Sequence, residues 1–285
     1  MTRRTTLATG LLLAALGYFL LLLGSPAIDL PQERKLSAAN AGEPRVHLYL
    51  ELADVDAARD SMQIRVSIEP TGLGIDPRSM LPDRDLVLVL SHDQRSERIV
   101  LHAHQSIPTT TVELDLYDGN VTGYPLDAYR AEVSIRCLEA SSLSDPQPTL
   151  LPIDLTIWER LLGFRLRTDE RAGGPPGEQW LSFQIHRSRA FVFFTLAAYG
   201  AMVVLACVAL TIGGLVFLGV RRPEATLVSA LGAIVFALPS LRATLPGGAP
   251  LGVSADVFIF LWAELAAVCA LALLVVAWAR AGPKP

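Results

Sequence analysis

Three long apolar runs between residues 190 and 279 constrain the fold of this chain more than any other feature. The first, residues 190–220, carries no charged side chain over 31 positions. As a helix it would be about 46 Å long, whereas the hydrocarbon core of a bilayer is about 30 Å thick. The second run covers residues 225–241, and the third covers residues 253–279, with only Asp256 and Glu264 charged. The pattern predicts a block of three transmembrane helices over residues 190–279.

A further apolar run, residues 7–23, lies near the N-terminus. Its 17 residues exceed the roughly 7–15 residues of a signal-peptide core. This length favours an uncleaved transmembrane anchor, although Ser25-Pro26-Ala27 is an acceptable cleavage site and a signal peptide remains the alternative. With the anchor, the chain has four helical spans.

Basic residues indicate the orientation of these spans. If there are four of them, three basic clusters fall on one side of the membrane: Arg3-Arg4, Arg221-Arg222 and Arg280 with Lys284. Positive residues mark the cytoplasmic side. We therefore expect a multi-pass protein of the inner (cytoplasmic) membrane, with both termini cytoplasmic and residues 45–188 extracytoplasmic.

The extracytoplasmic region changes in pattern at residue 45. Residues 26–44 lack periodicity and read as a linker. From there to residue 188, about nine short segments are predicted as strands: 46–52, 62–68, 85–90, 98–102, 111–116, 129–135, 153–157, 163–168 and 180–185. Apolar and polar residues alternate in most of them, whereas 85–90 and 98–102 are shorter segments that flank a polar bend. Alternation with a period of two predicts antiparallel sheets with one apolar face. Short strands separated by turn residues favour an all-β sandwich of immunoglobulin-like character.

Charge and composition exclude some functions of this region. Residues 29–189 contain 25 acidic and 17 basic residues, so their net charge is 17 − 25 = −8, which argues against nucleic-acid binding. Neither a nucleophile elbow, nor a phosphate-binding loop, nor a zinc-protease motif occurs in the sequence, so we expect no enzymatic activity and no cofactor. Cys137, the one cysteine outside the apolar runs, is expected to be buried and unpaired.

Histidines are the remaining candidates for a metal site. His102 and His104 lie two residues apart on a predicted strand and would project from one face, with His92 across the bend. No cysteine or carboxylate is spaced to complete the ligand set. The favoured interpretation is that they are exposed strand residues without a metal.

Charged residues in the membrane block predict a polar centre there. Arg242 ends the second long run and Asp256 opens the third, so both belong near the outer interface, where we expect them to pair. Glu264 lies about 12 Å deeper by helical rise; burying its charge in lipid is costly, so it should face protein or water. The alternative is that Asp256 caps its helix and Arg242 meets lipid phosphates.

Two motifs carry a resemblance to a known family. One is the segment Tyr124, Pro125, Leu126, Asp127, Ala128 and Tyr129. The other is an ordered series through the last turn: Arg242, Pro246, Gly247, Pro250, Gly252, Asp256, Trp262 and Glu264. Both resemble the bacterial membrane-protein family of the domain of unknown function DUF4436. The resemblance implies an architecture but no established activity.

The loop of residues 124–129 has three interpretations. Pro125 and Asp127 are typical of a turn that connects strands and anchors the tyrosines 124 and 129. The loop could instead dock on the membrane block, or could belong to a channel whose outer domain meets the membrane. The leading hypothesis for function is a non-enzymatic interaction or accessory module of the cell envelope. The alternative is a small transport or channel subunit. The lipid bilayer and other envelope proteins are the expected partners, and the oligomeric state stays open.

Overall fold

A computed structural model describes residues 32–36, 44–93, 95–142, 149–159, 161–170 and 177–280. The predicted anchor, residues 7–23, lies outside the described residues, as do residues 26–31 and 37–43 of the predicted linker. The described chain consists of a β-rich region followed by three long helices.

Alternating sequence produces the β-rich region, because every second side chain of a strand points to the same face. Within the described residues the strands are β1 (Gln32–Leu36), β2 (Val46–Asp56), β3 (Ser61–Gly72), β4 (Ile75–Asp76), β5 (Leu81–Pro82), β6 (Leu86–His92), β7 (Arg95–Leu101), β8 (Thr110–Asp115), β9 (Ala128–Glu139), β10 (Leu150–Leu151), β11 (Ile153–Glu159), β12 (Phe164–Glu170) and β13 (Glu178–Arg187). All nine predicted strands are confirmed. The strands β4, β5 and β10 have two residues each, too few to show alternation.

Two main sheets share one apolar core. The first has the order β1-β11-β2-β3-β8, and the second has the order β12-β13-β9-β6-β7, with β10 beside β9. Inward residues of both sheets, among them Leu50, Ile64, Leu88 and Phe183, are fully or almost fully buried in a single cluster. Burial at about 25 cal/mol per Å² of apolar surface is the main stabilising contribution to such a core.

Two features of the first sheet correct the sequence prediction. Gln32–Leu36, within the predicted linker, forms β1 and pairs with β11. The segment has five residues of which four are polar or charged (Gln-Glu-Arg-Lys-Leu), so it shows no alternation. In addition, β11 pairs with β2 in parallel, whereas antiparallel sheets were expected. A parallel pair needs a long crossover, and here the strands β3 to β10, from both main sheets and the small β4-β5 pair, lie between β2 and β11 in the chain.

Three helices follow the sheets: α1 (Arg189–Phe217), α2 (Ala225–Ala243) and α3 (Leu261–Arg280), the last preceded by a π-helical turn at Asp256–Phe260. All three are long and apolar enough to span a membrane. The helices α1 and α3 approach closely at Gly213, where an added Cβ would lie 2.5 Å from the carbonyl oxygen of Ala270. Small residues at such a crossing are typical of helix packing in lipid.

Cys137 on β9 is fully buried, as predicted, and it forms no disulfide within the described part of the chain. Burial raises the pKa of its thiol to about 12, because a thiolate is poorly solvated in an apolar core. At pH 8 the reactive thiolate is therefore almost absent. In a variant that keeps Cys137 as its sole cysteine, we expect no maleimide labelling of the folded protein at this pH and rapid labelling after unfolding. Adding a cysteine at the exposed Ser96 gives the control; equal labelling rates at the two positions would contradict the prediction.

Candidate functional site at the seam between sheets and helices

A buried ion pair lies at the seam, the contact between sheets and helices formed by Arg187, Asp127, Tyr124, Phe191 and Gly247. Arg187, the last residue of β13, donates through Nε and Nη2 to both carboxylate oxygens of Asp127, at 2.9–3.1 Å. The two side chains are 2% and 0% exposed. The hydroxyl of Tyr129 donates to Asp127 Oδ2 at 2.7 Å. Asp127 thus accepts hydrogen bonds from an arginine and a tyrosine. A turn residue commonly accepts them from neighbouring backbone N–H groups.

Aromatic rings enclose the Arg187 guanidinium. Its Cζ lies 4.3 Å from the ring centroid of Phe164, 4.7 Å from that of Phe191 and 5.4 Å from that of Tyr124. Such rings attract cations through their electron-rich faces. Because Phe164 opens β12, Phe191 belongs to α1 and Tyr124 precedes β9, this one side chain connects three parts of the fold.

Tyr124 docks the loop of residues 124–129 onto the helices. It is 1% exposed and belongs to the apolar cluster of the helical block. Its hydroxyl donates to the carbonyl oxygen of Pro246 at 2.8 Å and lies 3.3 Å from Thr195 Oγ1, and burial raises its pKa. The peptide bond between Tyr124 and Pro125 is cis. These contacts support docking on the membrane block. The loop also connects β8 to β9 with Tyr124 and Tyr129 buried, as the turn interpretation predicted.

Gly247, in the turn between α2 and α3, packs closely against Arg187 and Phe191. It lies in the turn Pro246–Gly248 with φ +78°, and an added Cβ would be 2.7 Å from Arg187 Nη1 and 2.8 Å from Phe191 Cζ. A side chain here would therefore push the two regions apart. Its neighbour Gly248 also has positive φ, at +56°, but an added Cβ there would meet nothing within 4 Å.

The two glycines therefore form a matched pair for mutation. Gly248→Ala should cost about 1 kcal/mol from backbone strain alone. Gly247→Ala should cost about 2–4 kcal/mol, because overpacking adds to the same strain. Thermal unfolding of the purified chain in detergent would measure both. Equal losses would mean that the turn does not press on Arg187.

The second ion pair joins the ends of α2 and the π-helical turn. Arg242 donates to Asp256 through Nε at 2.8 Å and through Nη2 at 2.6 Å, and both residues are less than 10% exposed. The predicted pairing of Arg242 and Asp256 is confirmed. The hydroxyl of Tyr199 on α1 also donates to Asp256 at 2.8 Å, so the pair contacts all three helical segments.

Backbone groups of the intervening turn complete this arrangement. Arg242 Nη2 also donates to the carbonyl oxygens of Ala249 at 3.1 Å and Pro250 at 2.8 Å. The N–H of Gly252 donates to Asp256 Oδ2 at 3.2 Å. The ion pair therefore fixes the turn that carries Pro246 and Gly247, and through that turn it supports the seat of Tyr124.

Glu264 and Trp262 lie apart from this network. No hydrogen bond or ion pair joins Glu264 to Arg242 among the described residues. Its Oε2 is buried without a hydrogen-bond partner in that same part of the chain. Trp262 is 64% exposed on the protein surface, where a spanning helix would meet lipid. The sequence placed both residues in the last span, but the structure brings neither to the ion pair.

Two protein families match this chain, one over each of its two regions. The family of the domain of unknown function DUF4436 matches residues 36–185, more than half of the chain. The chain belongs to this family. A second family, the domain of unknown function DUF8686, matches residues 187–281. Comparison with curated proteins gives no match.

These matches refine the sequence resemblance. The loop of residues 124–129 lies within the DUF4436 match. The series from Arg242 to Glu264 lies within the DUF8686 match, so the DUF4436 match itself covers only the first of the two motifs. The seam joins the two matched regions. Arg187, in the DUF8686 match, contacts Asp127 in the DUF4436 match, and Tyr124, in the DUF4436 match, contacts Pro246 in the DUF8686 match.

The histidines of the DUF4436 region do not form the predicted strand pair. The strand β7 ends at Leu101, and His104 lies in a turn with φ +60°; the expectation that both histidines share a strand face is therefore wrong. His102 Nδ1 lies 3.7 Å from Asp85, and the buried His92 lies 3.8 Å from Asp115. Within the described ranges, no three metal-binding side chains cluster.

Of the two buried ion pairs, the sequence predicted only the one between Arg242 and Asp256. Arg242 and Asp256 were found because charges are rare in apolar runs. Arg187 was missed although a signal existed: it continues the phase of Leu181, Phe183 and Ile185, the inward residues of β13. An arginine in phase with a buried face needs a buried partner.

Proposed function

We propose that this DUF4436 protein is an integral protein of the bacterial inner membrane that acts as a non-enzymatic interaction or accessory module of the cell envelope. The observation that carries the proposal is the seam. Two buried ion pairs and Tyr124 fix the β-rich region on the helices, so a surface of the sheets would be held at a set height and orientation. A module that presents a binding surface to other envelope proteins needs such a rigid support.

Orientation is part of this proposal. We place both termini and the Arg221-Arg222 turn in the cytoplasm, residues 45–188 outside, and a fourth span at residues 7–23, with the sheets in an immunoglobulin-like arrangement. Support comes from α1, which starts at the sheets and carries the arginine turn at its far end. A phosphatase reporter, which folds only outside, should be active after residue 250 and inactive after residue 222. Activity after residue 222 would refute the orientation, and a mature N-terminus at Ile28 would refute the anchor.

Crosslinking in native membranes tests the interaction role. A photoreactive amino acid at Glu113, exposed on β8, should yield a discrete protein adduct, as should one at Arg98 on β7. The neighbouring Leu114 is fully buried and provides the matched control, which should yield none. If the exposed positions give no adduct and the chain is extracted alone, the interaction role is refuted.

One observation favours the second candidate, a small transport or channel subunit. Glu264 buries a carboxylate oxygen without a hydrogen-bond partner in the described chain, and ionisable groups inside membrane spans commonly mark ion pathways. Proteoliposomes should then conduct protons or cations, and Glu264→Gln should abolish the flux. The control is Glu224→Gln, exposed in the α1–α2 turn. Flux no greater than that of empty liposomes would remove this candidate.

A further inference from the structure

A groove lies at the end of the helical block farthest from the sheets. It is a cavity of about 520 Å³ between the end of α1 and the start of α2. Apolar side chains of both helices line it, among them Ile212, Leu215 and Leu227, and charged side chains form its rim at Arg221, Arg222 and Glu224. The cavity therefore combines an apolar interior with a mainly basic edge.

A tight turn places the arginines at this edge. Gly219 has φ +74°, a left-handed conformation that glycine adopts without strain. The N–H groups of Val220 and Arg221 both donate to the carbonyl oxygen of Leu215, at 3.0 and 3.1 Å. These bonds close the end of α1, and Arg221 and Arg222 follow directly, beside the groove.

Both arginine side chains are exposed and free for a ligand. Neither makes a hydrogen bond or an ion pair with any residue that the structure describes. Glu224, the one acid on the rim, accepts a bond from Thr226 Oγ1 at 3.4 Å. A third arginine, Arg280, stays at this end of the block by stacking on Phe217, with 5.1 Å from Cζ to the ring centroid. The net charge at the groove is therefore positive.

We propose that the groove binds an anionic glycerophospholipid, with its phosphate on Arg221 and Arg222 and the upper part of an acyl chain along the apolar wall. Guanidinium groups bind phosphate through paired N–H donors. Basic pockets between membrane helices are suited to acidic lipid head groups. An apolar cavity at the end of spanning helices opens onto acyl chains. The proposal rests on membrane insertion of α1 and α2 and does not depend on the interaction role.

Lipid selectivity in nanodiscs tests this site. The full chain would be placed in phosphatidylcholine nanodiscs that contain a minority of phosphatidylglycerol, and retained lipids would be counted by native mass spectrometry. We expect retention of phosphatidylglycerol over phosphatidylcholine. The double variant R221Q/R222Q should lose about thirtyfold of this preference, since each arginine near anionic lipid contributes about 1 kcal/mol. The change R189Q, at the exposed first residue of α1, is the matched control and should retain the preference.

A groove-filling variant separates a defined site from diffuse attraction. Val220→Trp keeps both arginines but places a large side chain at the groove, so it should also reduce phosphatidylglycerol retention. Unchanged retention would overturn the groove and leave only a basic surface. Equal loss in R189Q and in R221Q/R222Q would overturn the assignment to this end of the block. Because the arginines make no internal contacts in the described chain, all variants should melt like the wild type.

Discussion

Replacing Arg187 by methionine should cost about 3–5 kcal/mol of unfolding free energy, because it leaves a buried carboxylate without its cationic partner. Asp127 is 0% exposed at its side chain and, among the described residues, would keep the hydrogen bond from the Tyr129 hydroxyl alone. The three rings around the guanidinium would lose their cation as well. Denaturant unfolding in mild detergent, followed by tryptophan fluorescence, would measure the loss.

An exposed ion pair between an arginine of the same sheet and an aspartate provides the control for Arg187. Arg130 contacts Asp118 at 3.3 Å, with side chains 47% and 70% exposed. Arg130→Met should cost about 0–1 kcal/mol, as is typical for surface pairs. If Arg187→Met is no more damaging than Arg130→Met, the buried pair does not hold the seam.

The pair Arg242 and Asp256 should show the second large effect. Arg242→Met and Asp256→Leu should each cost about 3–5 kcal/mol, for the same reason of an unpaired buried charge. The double variant should cost clearly less than the sum, because no uncompensated charge remains. Thermal unfolding of the four proteins in detergent forms the double-mutant cycle. An additive double variant would mean that the two charges act independently.

Exchanging the two charges gives a sharper test. Arg242→Asp with Asp256→Arg should be less damaging than either single reversal, since one ion pair is kept. Recovery should be incomplete, because the Tyr199 hydroxyl donates toward residue 256 and the carbonyl groups of Ala249 and Pro250 face residue 242. An exchange as damaging as both single reversals together would refute the pairing.

Local patterns predicted most elements but not their arrangement. Short alternating or apolar segments located nine strands and long apolar runs located three helices, because burial leaves a local pattern in the sequence. Pairing between distant strands leaves no such period, so the parallel contact of β2 with β11 could not be derived. The edge strand β1 has four polar or charged residues among its five, so its sequence has no alternation to detect.

The same difference between local patterns and long-range pairing explains which of the two ion pairs could be predicted. Arg242 and Asp256 stand out as charges at the borders of apolar runs, and their antiparallel helices bring them to one depth. Arg187 had the phase of a buried residue, but its partner Asp127 lies 60 residues earlier. Finding that pair required knowing that β13 and β9 are neighbours.

The position of β11 between β1 and β2 has a consequence for the order of assembly. Both neighbours precede it in the chain, so until β11 has been made β1 lacks its partner strand and one edge of β2 is open. At a synthesis rate of about 5–20 residues per second, the interval from β2 to β11 is about 5–20 s. During that time β2 is paired on one side only, with β3. A strand edge left open this long can recruit other chains, so the nascent β-rich region is most vulnerable to mispairing before residue 153 emerges.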